Sequence, residues 1–168
     1  VPGNANGFIP GEAAAAILCT SAPGPLRMTG LGLAREVAHI YNGADKDGLD
    51  LPLRGDGMTR AYRDALAAAN CDMEVISYRI SDISGEQYYF KQAALASLRT
   101  EAGHREFRDL WAPAESLGNC GAAAVPLMLG MALTAALRGY TPGSQLLIEA
   151  SGDDGACGAA VLYETRVG

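Results

Sequence analysis

The chain has 168 residues, with 13 Lys and Arg against 19 Asp and Glu and a net charge of −6. That balance, without any basic patch, argues against a nucleic-acid backbone as partner. Hydrophobic residues make up 49% and charged residues 19%, enough for a core and too apolar for disorder, so the chain is one domain or half of a two-domain unit.

Residues 1–6 are small and turn-rich and start no element, as in a segment cut from a longer chain. Residues 7–20 (GFIPGEAAAAILCT) close on Ile17, Leu18 and Cys19, which predicts a strand covered on both faces. Residues 21–25 form a turn. Residues 31–41 alternate in part, with Leu31, Leu33, Arg35, Val37 and His39 on one face, and read as a strand joined to the first by a hairpin. A polar loop over 42–53 leads to a helix over 59–69, capped by Asp56 or Thr59. Its Ala61, Ala65, Leu66 and Ala69 face inward, its Arg60, Arg63 and Asp64 outward, and residues 70–72 end it.

Residues 73–79 (MEVISYR) read as a third strand, and 87–100 as a helix terminated by Gly103. Residues 108–112 form a short strand or an ordered loop. An apolar helix follows, closed by Arg138 and Gly139. After a turn over 140–144 come a fourth strand over 145–150, a tight glycine loop over 151–156 and a fifth strand over 157–164 hairpinned back. The expected fold is α/β, a mixed five-stranded sheet with helices and one apolar inner helix, spanning residues 1–168 as a single domain.

That inner helix organises the rest. From Gly121 to Leu137 no residue is charged and Thr134 alone is polar. A surface helix shows one polar face, and this stretch has none, so it must be covered all round. A membrane span is a little longer, about 20 residues, and this run carries Pro126 and Gly130 and lacks a basic flank. A buried core helix is therefore expected, and no membrane partner. One sheet covers only one side of it, so a second copy or a further half must cover the other.

Several stretches resemble, in order, those of β-ketoacyl-acyl-carrier-protein synthases. GFIPGEAAAAIL is similar to their GFxxGEGAxxLVL strand and GDGMTRAYRDALAAAN to their DGxGxxxAxxxALxxA helix. GNCGAAAVPLMLGMAL resembles the GNTSAASxPLAL stretch of the initiating, type III enzymes, and PGSQLLIEASGDDGACGAAVLYE their closing hairpin PGxxxLLxxFGxGxxxGxxLxR. The resemblance implies the C-terminal half of a thiolase-like fold, in which two similar halves stack in layers and each gives an inner helix to the centre. The N-terminal half, with the family's nucleophilic cysteine, is then outside this chain.

The resemblance also implies chemistry. The family's C-terminal half supplies two donors, His and His or His and Asn, that hold a thioester oxygen as charge develops on it. Asn119 matches the asparagine, and its other reading is a cap for turn and helix-start backbone groups. The histidine is expected a few residues before Gly85 and Glu86, where the sequence has Tyr78, Arg79, Ile80, Ser81 and Asp82. His39 and His104 read as structural.

Gly118, Cys120, Gly152 and Gly155 are candidate substrate-binding positions around Asn119; Cys120, beside a helix start, is also a candidate nucleophile or a packed small residue. Asp153 and Asp154 read as an exposed turn. The cysteines Cys19, Cys71, Cys120 and Cys157 form no CxxC pair, so no metal site is expected; no cofactor is implied either. With no signal peptide visible, reduced thiols and a cytoplasmic location are expected. The implied function is that of a β-ketoacyl synthase-like acyltransferase of the carbon–carbon bond-forming Claisen condensation class, handling acyl carrier protein or coenzyme A thioesters with a nucleophile from the N-terminal half, and with a second thiolase-like half or a homodimer as partner. The alternative is a catalytically silent homologue acting as a chain-length-type partner subunit, which the missing histidine favours.

Overall fold

The structure, a computed structural model, describes residues 6–42, 51–101 and 108–165. Its five-stranded mixed sheet is built from β1 (Leu26–Arg35), β2 (Tyr78–Ser81), β3 (Asp109–Trp111), β4 (Gln145–Ser151) and β5 (Ala156–Glu164), in the order β1-β5-β4-β2-β3. β2 runs parallel to β3 and β4, and β5 is antiparallel to β4 and β1. The α/β class and mixed sheet expected from sequence are the ones observed.

Helices cover the two faces unequally. On one face lie α1 (Asp56–Ala69) and α2 (Gln87–Thr100), and on the other α4 (Ala124–Arg138); a short α3 (Ala114–Leu117) precedes it. β4 shows why its sequence does not alternate. Leu147 packs among Met58, Ala61, Tyr62 and Ala65 of α1, while Leu146 and Ile148 pack against Met128 and Ala132 of α4. A strand covered on both faces needs apolar residues at every position. The α1 side is also drawn in tightly by glycine. A Cβ on Gly30 would stand 2.0 Å from the Ala65 carbonyl oxygen, and one on Gly32 2.0 Å from that of Ala61. No side chain fits there, so β1 and α1 meet backbone to backbone.

Several expectations are corrected. Residues 7–20 are not a strand. They run extended and mostly exposed, with Leu18 at 90%, and their ladder pairing among the described residues is one isolated bridge, Pro10 to Asn119. A strand covered on both faces needs a sheet beside it, and none of the described strands pairs with this segment. Ile17 instead comes within 3.9 Å of where a Cβ on Gly130 of α4 would lie.

The second expected strand shifts to residues 26–35 and pairs with β5, so no hairpin joins it to residues 7–20. Val37 and His39 fall beyond its end. The supposed third strand opens as a 3₁₀ turn, Met73–Val75. Pairing begins only where the Ser77 N–H donates to the Gln145 carbonyl at 2.9 Å. Neither Asp56 nor Thr59 caps α1. The carboxylate of Glu36, buried after β1, accepts the Gly57 N–H at 2.9 Å, and the Thr59 hydroxyl turns back to the Gly55 carbonyl at 2.6 Å. Gly103 and His104 lie outside the described residues.

The apolar helix is covered on one flank only. Met128, Ala132 and Ala135 are fully buried on the sheet, whereas Val125 and Leu137 are exposed, Leu137 at 64%. Its length and apolarity would also suit a membrane span, yet its buried stripe is seated on the sheet of this same chain. The cover expected all round is therefore supplied on one side by this chain, and its other side stands open.

Candidate functional site

Because β2, β3 and β4 are parallel, the loops that follow them gather at one edge of the sheet. In open α/β sheets this is where ligands bind, outside the carboxyl ends of the strands. Here Asp82 follows β2, residues 118–120 follow β3 and α3, and Asp153 follows β4. Asp82, Asn119 and Asp153, together with Ser84, Glu86 and Tyr89, line a cleft of about 210 Å³ that also reaches Gly121, Ala124 and Ser151. A smaller recess beside it shares Asp82 and Asn119 and adds Gly118 and Cys120.

Asn119 is held on all sides. Its N–H donates to the Ile9 carbonyl at 2.8 Å, and its carbonyl accepts the Gly11 N–H at 2.9 Å, which is how the N-terminal segment is pinned. In the side chain, Oδ1 accepts the Gly121 N–H at 2.9 Å and Nδ2 donates to the Ser84 hydroxyl at 3.3 Å. The oxygen thus caps the turn leading into α4, while the amide N–H is directed toward the cleft wall. Gly118, at φ 73, lets the chain turn against Pro10: a Cβ there would sit 2.7 Å from the Ile9 carbonyl oxygen.

Cys120 lies in the recess with its sulfur 3.6 Å from the Gly118 carbonyl and 3.7 Å from that of Leu117. No histidine lines the cleft or the recess among the described residues. His39 accepts the Tyr41 N–H through Nδ1 at 3.3 Å, in the turn after β1. Gly152 and Gly155 shape the β4–β5 hairpin, where the Gly155 N–H donates to the Gly152 carbonyl at 2.9 Å, but they do not line the cleft; Asp153 between them does. Asp154 turns outward to Arg35 at 3.1 Å.

The electrostatics of the cleft are set by carboxylates. Asp82 ends the stretch, residues 78–82, in which the histidine was expected. Burial pushes its carboxyl up to about 6, against the opposing pull of the Ser151 N–H, which it accepts at 2.8 Å. Glu86 is pushed up by burial and then by the charge of Asp153. Asp153 accepts a short hydrogen bond from the Tyr89 hydroxyl, whose own ionisation is pushed up first by burial and then by that bond. Behind this wall the Ser151 hydroxyl donates to Gln92 Oε1 at 2.6 Å, fixing α2 to β4. No group of three or more metal-ligating side chains with suitable geometry occurs among the described residues.

Sequence reasoning brought out Gly118, Asn119 and Cys120, which the fold places together. It passed over Asp82, Ser84, Glu86 and Tyr89 as cleft residues. The signal that marks them is the run ISDISGEQYY at the end of a strand, which carries two acids within five residues.

No family model matches the chain, and no curated protein is similar to it. Solved structures are. A ketosynthase in complex with its chain length factor from Xenorhabdus doucetiae matches with TM-score 0.72 at 14% identity, over 87% of this chain and 41% of that one. A beta-ketoacyl synthase from Burkholderia phymatum matches with TM-score 0.64 at 15% identity, over 83% and 37%. The ishigamide ketosynthase/chain length factor matches with TM-score 0.64 at 19% identity, over 82% and 38%. The chain spans well under half the length of these neighbours. At such identities the likeness is one of fold, and the fold is that of part of a ketosynthase chain.

Proposed function

We propose that this chain is the C-terminal half of a ketosynthase-class protein that receives an acyl group from an acyl carrier protein or coenzyme A thioester without condensing it. It serves as a partner of the chain length factor kind. The observation that carries this reading is the cleft at Asp82 and Asn119. Condensation needs donors aimed at an oxygen that becomes negative. Here one donor position holds a carboxylate, and the other donor is engaged by Ser84 while its oxygen caps a turn. An acid beside a developing oxyanion opposes the charge unless it carries its own proton.

The partner is a second thiolase-like half, in the same or another chain, or a second copy. Three uncovered features support it: the extended segment 7–20, the open flank of α4, and the exposed Leu31 and Leu33 of β1. A cytoplasmic location fits reduced cysteines, which are free at Cys19, Cys71, Cys120 and Cys157.

A second reading has one observation in its favour. The Asn119 amide is held only by a hydroxyl at 3.3 Å, which a substrate oxygen could replace. In that reading the protein is a condensing synthase whose nucleophilic cysteine comes from the other half. The two are separated by incubating the full-length protein with acetyl- and malonyl-loaded carrier protein. Formation of a ketoacyl product by this protein alone would overturn the partner reading. Its absence, with product appearing only when an active synthase is added, is the expected result.

A further inference from the structure

We infer that the cleft at the carboxyl edge of the sheet excludes acyl groups that carry a free carboxylate and admits uncharged ones. The inference rests on the acyl-thioester reading above and adds to it a substrate class. Three separate segments each place one acid on the lining: Asp82 after β2, Glu86 before α2, and Asp153 in the β4–β5 turn. Two of the three are held in place, Asp82 by the Ser151 N–H and Asp153 by the Tyr89 hydroxyl. They cannot simply swing away from an incoming anion.

No Lys, Arg or His lines the cleft among the described residues. Arg35, which reaches the β4–β5 turn, is spent on Asp154 at the outer surface. The remaining attraction for an anion is the start of the helix that follows Asn119. A helix terminus carries about half a positive charge, set against three acids, and the Gly121 N–H of the 3₁₀ turn before it is already taken by Asn119 Oδ1. The neutral donors that remain, the Asn119 amide and the Ser84 hydroxyl, suit a thioester carbonyl rather than a second charge.

The test uses three stable amide analogues of pantetheine thioesters: acetyl, malonyl, and the methyl ester of malonyl. The last matches the malonyl group closely in size without its charge. Affinities for the full-length protein are read by NMR titration, following the side-chain amide of Asn119. The acetyl and methyl-ester probes are expected to bind, and the malonyl probe about tenfold more weakly or worse, because like charges a few ångströms apart in a partly desolvated cleft repel strongly. In the Glu86→Gln, Asp153→Asn double variant the malonyl probe should recover most of that loss. Asp82→Asn, which is isosteric, gives an independent second variant.

Equal binding of malonyl and its methyl ester in the wild-type protein would overturn the inference and leave the acyl-thioester reading standing. So would an equally weak methyl ester, which would assign the exclusion to size. If none of the three probes binds, the acyl-thioester reading itself fails, and the inference with it.

Discussion

The two faces of the sheet are built to different standards. On the α1 face, Ala61, Tyr62 and Ala65 are fully buried, glycines bring strand and helix into backbone contact, and even a carboxylate, Glu36, is recruited to cap the helix. On the α4 face the core thins toward β1, where Leu31 is exposed and Leu33 is 69% exposed, and α4 turns apolar side chains outward. A finished face has polar residues on its outer side, as α1 does at Arg60, Arg63 and Asp64. On α4 only Thr134 and the terminal Arg138 are of that kind, and the rest of its open flank is an apolar surface of the sort that marks an interface. One face is a completed core, the other half of one.

The sharpest way to break this contrast is at Gly32. Gly32→Val drives a side chain into the Ala61 carbonyl, which a built Cβ already approaches to 2.0 Å. Separation of β1 from α1 is expected to cost about 3 kcal/mol or more, at the upper end of overpacking effects. Urea denaturation followed by circular dichroism reads it. Retention of wild-type stability would show that the α1 face is looser than described.

A smaller effect is expected from Glu149, an acid buried inside the finished face without the capping role of Glu36. It is 1% exposed, and neither carboxylate oxygen has a hydrogen-bond partner. Arg79 stands 3.5 Å away and spends a hydrogen bond on Tyr62 instead. Burial therefore outweighs the ion pair and pushes Glu149 from 4.5 up to about 8. The folded state then holds the proton more tightly than the unfolded one. The stability tied to that proton is complete below about 4.5 and is lost as the pH rises through about 8. Glu149→Gln should flatten this decline, on the order of 1–3 kcal/mol across the window. Parallel pH profiles for both proteins would refute the assignment.

How much of this was legible in the sequence follows from the same contrast. Elements whose partners lie within the chain were readable. Helix 87–100 and the closing hairpin were placed closely, because their periodicity, glycines and turn residues all act locally. Residues 7–20 were misread as a sheet strand for the opposite reason. Their apolar pattern answers to a surface that no described strand supplies, and pattern alone cannot say which sheet a strand joins. Glu36 was missed as a cap because it acts across 21 residues. At the site, Gly118, Asn119 and Cys120 stand out through the resemblance of GNCGAAAVPLMLGMAL to a family stretch, whereas the acids of the cleft converge only through the parallel pairing of β2 and β4.

Asn119 tests whether the site is tied to the open face. Its side chain both caps the turn into α4 and faces the cleft. Asn119→Ala should cost about 1 kcal/mol, as the loss of a capping oxygen does. It should also weaken the acetyl pantetheine analogue by severalfold. Ser84→Ala removes only the hydroxyl that holds the amide, so the cap and the stability should survive while the freed amide binds the probe at least as well. Equal weakening in both variants would mean that the pair acts as a unit and that the amide is not itself a donor to ligand.

The smallest change in folding stability is expected on the open face, and it is the one that decides what the face is for. Leu33→Ser and Leu137→Glu remove exposed apolar groups, so neither should shift the urea midpoint by more than about 0.5 kcal/mol. Both should alter association. A surface that needs a cover makes the chain self-associate when its proper partner is missing, and a charge placed on it makes that contact costly. Sedimentation of the wild-type chain should therefore give a mass above that of the monomer, and Leu137→Glu should bring it down. A wild-type monomer that stays dispersed at high concentration would mean that water is an adequate cover for α4, and the argument for a second half would lose its physical basis.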